Sequence, residues 1–503
     1  MGGQGVEQRM KILHEAAAQQ LLKPFHTHGW DAIVSSENAH GEYLIVEAKK
    51  GAMTRRVALL YTSATDISHY KALDAAVDHI FANGALYHIE SFTQGIRKPV
   101  TPIADFFPVL VAWNKELTPD IHKALPPARP RRVRQITGEN PLAGIWSLLD
   151  QFASVTLAEK LIRRRAAEES VVLTPGAVRK KAEGVAFAMR NASDYFRGVS
   201  FESLNRRIVT LYYGSIALAF AEMLASPKGP ADLDEVEGMT KFGHGLYVLP
   251  SGTGDFGGLN VGVIASGFFP RWAAFLDHDI SAYPKEKAKS QSDLEKKPAG
   301  TLTTLRELLG ALPELGDLFL EVFQAAPSWI APVFIPEEIT ADRGIGHMQK
   351  SKSTYIRLID ASGRISEAQI RAADWPITEI TSVSAGGEDG SVYRARVDHA
   401  GRAYWYEVLP VHHSPFKKGS TLILPVIGGI SEFRTIAVIT LYALSILVRY
   451  MPSAWRRVEG GDWDEHLSLV KNALGVFERL IPEQFLESII GEQIYASQPG
   501  GLF

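Results

Sequence analysis

Cysteine is absent from all 503 residues, which excludes disulfides, thiolate nucleophiles and cysteine-ligated zinc or iron–sulfur centres in one step. A strong charge imbalance is missing too. Lys and Arg number 53 against 56 Asp and Glu, a formal net charge of -3, so no global positive field draws in nucleic acid and any such site must be local. No run approaches the roughly 20 apolar residues that span a bilayer; the nearest, Ile436 to Val448 between Arg434 and Arg449, reads as a buried helix. The opening MGGQGVEQRMKILHEAAAQQ is polar and helical, without the apolar stretch and small-residue cleavage site of a signal peptide. A cytoplasmic chain with no membrane association is the expectation.

What is present is ordinary globular composition, 46% hydrophobic and 22% charged, in a length that calls for two or three cores. Residues 8–23 carry Met10, Ile12, Leu13, Ala17 and Leu21 at helical spacing, and Pro24 with the following HTHG predicts a stop. Strand-like runs follow at Ala32–Ser35 and Tyr43–Ala48, joined by the hairpin-like ENAHGE. Val57–Tyr61 reads as a strand, His69–Phe81 as a helix, and Leu86–Ile89 and Phe107–Trp113 as strands. This order, helix, hairpin, strand, helix, strand, predicts an α/β domain over residues 1–118.

Residues 119–141 combine prolines with the basic RPRRVR and lack apolar periodicity, as a linker does. Residues 142–503 then predict a mostly helical α+β body: helical over 142–250, β-rich over 330–428 and helical again over 430–495. The charged KEKAKSQSDLEKKPAG, residues 285–300, is expected to form a mobile loop.

The chemistry concentrates in GWDAIVSSENAHGEYLIVEAKKG, residues 29–51. Asp31 opens one strand, and Glu47 and Lys49, two apart on the next, point to the same side. A hairpin can bring Asp31 beside them. Two carboxylates converging with a backbone carbonyl suit a hard divalent cation such as Mg²⁺, and an adjacent ammonium can orient or help deprotonate a bound water. A Glu-x-Lys triplet is also common on strands as a surface ion pair.

These residues resemble the PD-(D/E)xK, restriction-endonuclease-like nucleases, especially their Mrr-like and Holliday-junction-resolvase-like branches. The resemblance covers the first quarter of the chain, and Trp30 stands where the family name has proline. It implies a restriction-endonuclease-like fold, with Asp31, Glu47 and the Ala48 carbonyl holding Mg²⁺ or Mn²⁺, Lys49 activating water, and Glu15 as a helix-borne carboxylate. The implied reaction is phosphodiester hydrolysis by a metal-bound water, in DNA over RNA. Arg55, Arg56, Arg131, Arg132 and Arg134 are the candidate nucleic-acid contacts.

A second resemblance lies in the body. NASDYFRGVSFESLNRRIVTLYYGSIALAFAEMLASP (191–227), FGHGL (242–246), LYALSILVRYMPSAW (441–455) and the tryptophan of PLAGIWSLLDQF (141–152) are similar to the YaaC-like family. The likeness spans most of residues 140–490 and carries no activity with it. Joined to a nuclease module, it implies by association a component of bacterial anti-phage defence, with a protein partner from the same system. His244, Arg449 and Trp455 read mainly as packing residues, with a ligand or partner site as the alternative.

Other signals are set aside on context. Gly252, Gly254 and Gly257 spell G-x-G-x-x-G, but LNVGVIASG after them is not a helix that would receive a pyrophosphate. Arg394 and His399 have the R-x4-H spacing of helical HEPN-type ribonucleases yet lie in a hairpin-like segment, and His26 with His28 and His412 with His413 lack further ligands at metal spacing. The rival function is a non-catalytic binding or scaffold subunit with an inactive nuclease-like module. Paired active sites, needed for a double-strand break, make a homo-oligomer the expected assembly.

Overall fold

A computed structural model describes residues 3–51, 53–61, 66–84, 89–117, 132–250, 254–335, 353–383, 390–399, 402 and 404–498. The chain separates into two compact units, Met1–Pro127 and Ala128–Phe503.

The first unit is α/β. Helix α1 (Gly3–Ala17) passes through a wide π-type turn at Ala18–Leu22 into α2 (Lys23–Thr27). Pro24 therefore does not stop the helix: it sits in the first turn of α2, directly after the π-type turn where the backbone bonding changes register. Strands β1 (Asp31–Glu37), β2 (Tyr43–Lys50) and β3 (Met53–Tyr61) form an antiparallel meander. After α3 (Ile67–Ala76), β4 (His79–Asn83) pairs parallel with β3. Beyond α4 (Ile89–Phe92), β5 (Val100–Pro102) pairs parallel with β4, and α5 (Phe106–Leu117) completes the unit. The reading of Phe107–Trp113 as a strand is corrected: Phe106, Leu110 and Trp113 are buried at helical spacing, and the β-favouring Phe, Val and Trp content misleads. Residues 86–88, read as a strand, lie outside the described residues, and Ile89 opens α4.

The sheet is covered on both faces. Leu44, Val46 and Ala48 of β2 pack with Leu13, Ala17, Leu21, Phe25, Phe106 and Leu110. On the other face Tyr43 and Ile45 meet Ala58, Leu60, Tyr70, Leu73 and Ile80. The run VALL, residues 57–60, is wholly buried because β3 feeds both cores. The second core ends at Ile45, so the next two residues on that side of β2, Glu47 and Lys49, lie beyond it.

The second unit is a helical body with small sheets. It begins with β6 (Val133–Thr137), α6 (Pro141–Gln151), α7 (Val155–Glu168), α8 (Pro175–Phe196), α9 (Leu204–Ala225) and α10 (Leu233–Thr240). Next come β7 (Leu246–Leu249), β8 (Asn260–Val263), α11 (Phe268–Phe275), α12 (Gln291–Leu294), β9 (Leu302–Thr304), α13 (Leu305–Gly310) and α14 (Gly316–Phe323). The β-rich part holds β10 (Ala331–Phe334), β11 (Ser353–Asp360), α15 (Glu367–Ala372), β12 (Ile377–Val383), β13 (Ser391–Asp398), β14 (Val411–His412) and β15 (Thr421–Leu422). It closes with α16 (Phe433–Tyr450), α17 (Pro452–Gly460), α18 (Glu465–Ile490) and β16 (Gln493–Ser497). The principal β-rich sheet has the order β10-β11-β13-β12.

Four expectations change. The second half of the proposed linker belongs to the body: β6 pairs in parallel with β16, and Pro141 starts α6. The C-terminal helix stops at Gly491, in the left-handed conformation that ends helices, before β16. Residues 285–300 include α12 and a 2.6 Å bond from Lys297 Nζ to the Glu286 carbonyl. Trp405–Glu407 form a tight turn instead of a strand.

Helices α9 and α16 are long and apolar enough to cross a membrane by length and composition, and each is mostly buried in the body. Gly214 lets α9 approach α8, since a Cβ there would lie 2.8 Å from the Phe196 ring and 2.9 Å from the Tyr195 Cβ. Glu222 of α9, fully buried, ties the helices together. Its carboxylate accepts from Trp272 Nε1 of α11 at 2.8 Å, Arg434 Nη2 of α16 at 2.7 Å and the Ser488 hydroxyl of α18.

Candidate functional site

Asp31 is the direct cross-strand partner of Lys49, and Ile33 is the partner of Glu47, which pairs on its other side with Arg56. Direct partners in an antiparallel ladder project to the same face. Asp31, Glu47, Lys49 and Arg56 thus share one side of the sheet. Asp31 and Glu47 are diagonal neighbours, a relation that puts backbones about 7–8 Å apart and within reach of long side chains.

Glu47 is the anchored member. Its Oε1 accepts from Lys49 Nζ at 2.9 Å and its Oε2 from Arg56 Nε at 2.8 Å. The hydrogen bond from Lys49, then that from Arg56, holds the Glu47 carboxyl below the ordinary carboxylate range. Its side chain is 16% exposed, whereas that of Lys49 is 61% exposed. Lys49 can therefore leave Glu47 for an incoming anion at little steric cost.

The structure does not bring Glu15 to this group. Glu15 is exposed on α1, and the stripe of α1 beside it, Leu13 and Ala17, packs on the Leu44, Val46 and Ala48 side of the sheet, away from Glu47. Ala48 buries its side chain in that core and offers backbone alone. Arg55, partner of Ala48, turns to the same side, its guanidinium 5.6 Å from the Trp113 ring and 3.6 Å from Asp78. Arg134 binds Glu492 at 2.9 Å and Arg132 lies 4.0 Å from Glu168, both in the body. Arg131 falls outside the described residues.

Among the described residues no group of three or more His, Asp or Glu side chains converges as a metal site. Two carboxylates on one face do match Mg²⁺ or Mn²⁺ in donor chemistry, because such ions take one or two carboxylates and keep several waters. Glu47 also already carries two cationic partners where a metal would bring its charge.

In the body, three separated sequence segments meet. Tyr212 Oη lies 2.8 Å from His244 Nδ1, and the His244 and Tyr442 rings are 5.5 Å apart. Tyr442 Oη donates to the Leu246 carbonyl at 2.8 Å, Arg449 Nη1 to Tyr213 Oη at 3.3 Å, and Trp455 Nε1 to Asn205 Oδ1 at 2.7 Å. Burial pushes the Tyr442 hydroxyl up to about 12 and Tyr212 well above its ordinary value. Burial, then the charge of Arg449, pushes His244 down. Sequence reasoning named His244, Arg449 and Trp455 singly and missed this convergence. The available signal was the set of YYG, HGL and RYMPSAW segments, none of which shows its neighbours by itself.

A family model described as YaaC-like Protein matches residues 150–489. No curated protein and no solved structure matches the chain. With more than half of its length following that model, and with the motif segments of α9, α16 and the α10–β7 turn packed into one helical body, the chain belongs to the YaaC-like family.

Proposed function

We propose that the first unit is a metal-dependent nuclease module hydrolysing phosphodiester bonds in DNA, with the YaaC-like body regulating or recognising, as part of a bacterial anti-phage defence. The observation that carries this reading is the strand register that sets Asp31 opposite Lys49 and places Glu47 on the same face. Asp31 and Glu47 would hold Mg²⁺ or Mn²⁺, with the Ala48 carbonyl as a third oxygen. Such an ion supplies polarisation of the phosphate and a bound water of lowered pKa. Glu47, kept ionised by its two cationic neighbours, is ready as a ligand at neutral pH. Lys49 and Arg56 lie where they can pair with a phosphate oxygen, and the exposed Ile33, cross-strand from Glu47, offers an apolar contact.

One observation favours a second reading, a binding module without catalysis. Both oxygens of Glu47 are occupied by Lys49 and Arg56, which is how a strand-surface ion-pair cluster looks. Purified full-length protein, Lys49→Ala and Glu47→Gln incubated with single- and double-stranded DNA and RNA, in Mg²⁺, Mn²⁺ or EDTA, separate the two. The nuclease reading expects metal-dependent cleavage reduced about 10²-fold or more in both variants. Metal-independent cleavage, or equal behaviour of all three proteins, refutes it.

A further inference from the structure

Arg449 is a half-buried guanidinium whose partners are all neutral. Its Nε donates to the Ser445 carbonyl at 3.1 Å, Nη2 to Ser445 Oγ at 3.2 Å and Nη1 to Tyr213 Oη at 3.3 Å. Among the described residues no carboxylate pairs with it. Other covered arginines of the body are balanced: Arg164 by Glu492, Arg207 by Glu478, Arg434 by Glu222 and Arg479 by Glu483. A guanidinium has five N–H donors in a fixed fork, so the three bonds hold Arg449 in place and leave two donors for a ligand.

Its surroundings are aromatic and partly open to solvent. The Arg449 guanidinium carbon lies 6.0 Å from the Tyr213 ring centre and 5.0 Å from that of Tyr450, and Tyr195 stacks on Tyr213 at 6.3 Å. Tyr450 is 67% exposed and Tyr195 41%. Packing does not account for rings left this open beside a cation. Tyr212 Oη and His244 Nδ1 share a hydrogen bond of 2.8 Å, which leaves the other ring nitrogen, Nε2, facing outward from that pair. That Nε2 has no partner among the described residues.

We infer that Arg449, His244, Tyr195, Tyr213 and Tyr450 form a binding site for a nucleotide, either free or at the end of a nucleic-acid strand. The unbalanced guanidinium fork fits a phosphate, which it can grip through two parallel N–H bonds. The unpartnered imidazole Nε2 is a further polar contact, a donor or an acceptor according to tautomer, and the open tyrosine faces suit a planar base, which stacks on aromatic side chains with little regard to its identity. An aliphatic carboxylate or inorganic anion would leave the rings unused. The site belongs to the body alone and stands independently of the nuclease reading.

Isothermal titration calorimetry of the full chain with AMP, GMP, adenosine, inorganic phosphate and an end-phosphorylated single-stranded DNA tests this. AMP or GMP, or the phosphorylated strand, should saturate below about 1 mM, with adenosine and phosphate each at least about tenfold weaker because each lacks one half of the recognition. Binding of AMP or GMP identifies a free nucleotide, and binding of the strand without them identifies a terminus. Arg449→Met, which keeps the stem, and Tyr450→Ala, at a position 67% exposed, should each weaken binding about tenfold or more while the far-ultraviolet circular dichroism stays that of wild type. The inference is overturned if neither nucleotides nor strand saturate, if phosphate binds as tightly as AMP, or if both variants bind like wild type.

Discussion

Glu222→Ala tests whether the helical body is held by its buried carboxylate. The substitution strips acceptors from three donors at once, the Trp272 indole, the Arg434 guanidinium and the Ser488 hydroxyl. Arg434 is only 14% exposed, so its charge is left largely without compensation by water. Breaking a buried pair from one side costs about 3–5 kcal/mol. With an unfolding entropy of about 2.1 cal/mol/K per residue, a unit the length of Ala128–Phe503 should then melt about 4–6 °C lower. Urea unfolding of Glu222→Ala, Arg434→Met and the double variant measures the pair directly. The double variant should lose less than the two single losses combined, by about 0.5–3 kcal/mol. A loss below about 1 kcal/mol for Glu222→Ala, or strict additivity, would show that the network is ornamental to stability.

Lys181 is buried on α8 with its ammonium donating to the carbonyls of Ser226, Gly229 and Pro230. Burial pushes it down from 10.5 to about 8, so between those values the unfolded chain binds the extra proton and stability rises with pH. Urea midpoints should therefore climb across that window in wild type, and Lys181→Met should flatten the climb; an identical slope in both proteins refutes the assignment. Two glycines should respond with opposite signs. Gly214→Val forces a branched side chain against Phe196 and should cost about 1–3 kcal/mol. Gly475→Ala, in the exposed interior of α18 with nothing within 4 Å, should gain about 0.5–1 kcal/mol, both read from chemical denaturation.

The shared face of Asp31, Glu47 and Lys49 was legible because it needs only the two-residue period of a strand. Glu47 and Lys49 had to share a side, and the ENAHGE turn had to return the chain so that Asp31 met them. The layer occupied by Glu15 was legible too, but was not used: it stands two positions beyond Leu13, about 200° round the helix from the buried stripe. Helix α5 was misread since Phe, Val and Trp favour strands while their burial follows a helical interval. The bond of Arg134 to Glu492 is not legible in the sequence, because Glu492 lies in a segment that no local pattern links to it. The Arg449 cluster was hidden for the same reason. Its members come from α8, α9, the turn before β7 and α16, and a missing counter-ion becomes visible only once every neighbour is placed.

The pairing of β6 with β16 reaches into how the protein is made. Val133 cannot find its partner Gln493 until nearly the whole body has left the ribosome, and at about 5–20 residues per second that delay is roughly 20 to 70 s. Throughout it the first helices of the body emerge with their apolar flanks unmatched, while the sheet at the chain's start, whose strands are neighbours in sequence, is already complete. Nascent chains caught before residue 493 are therefore the species on which chaperones are expected to act.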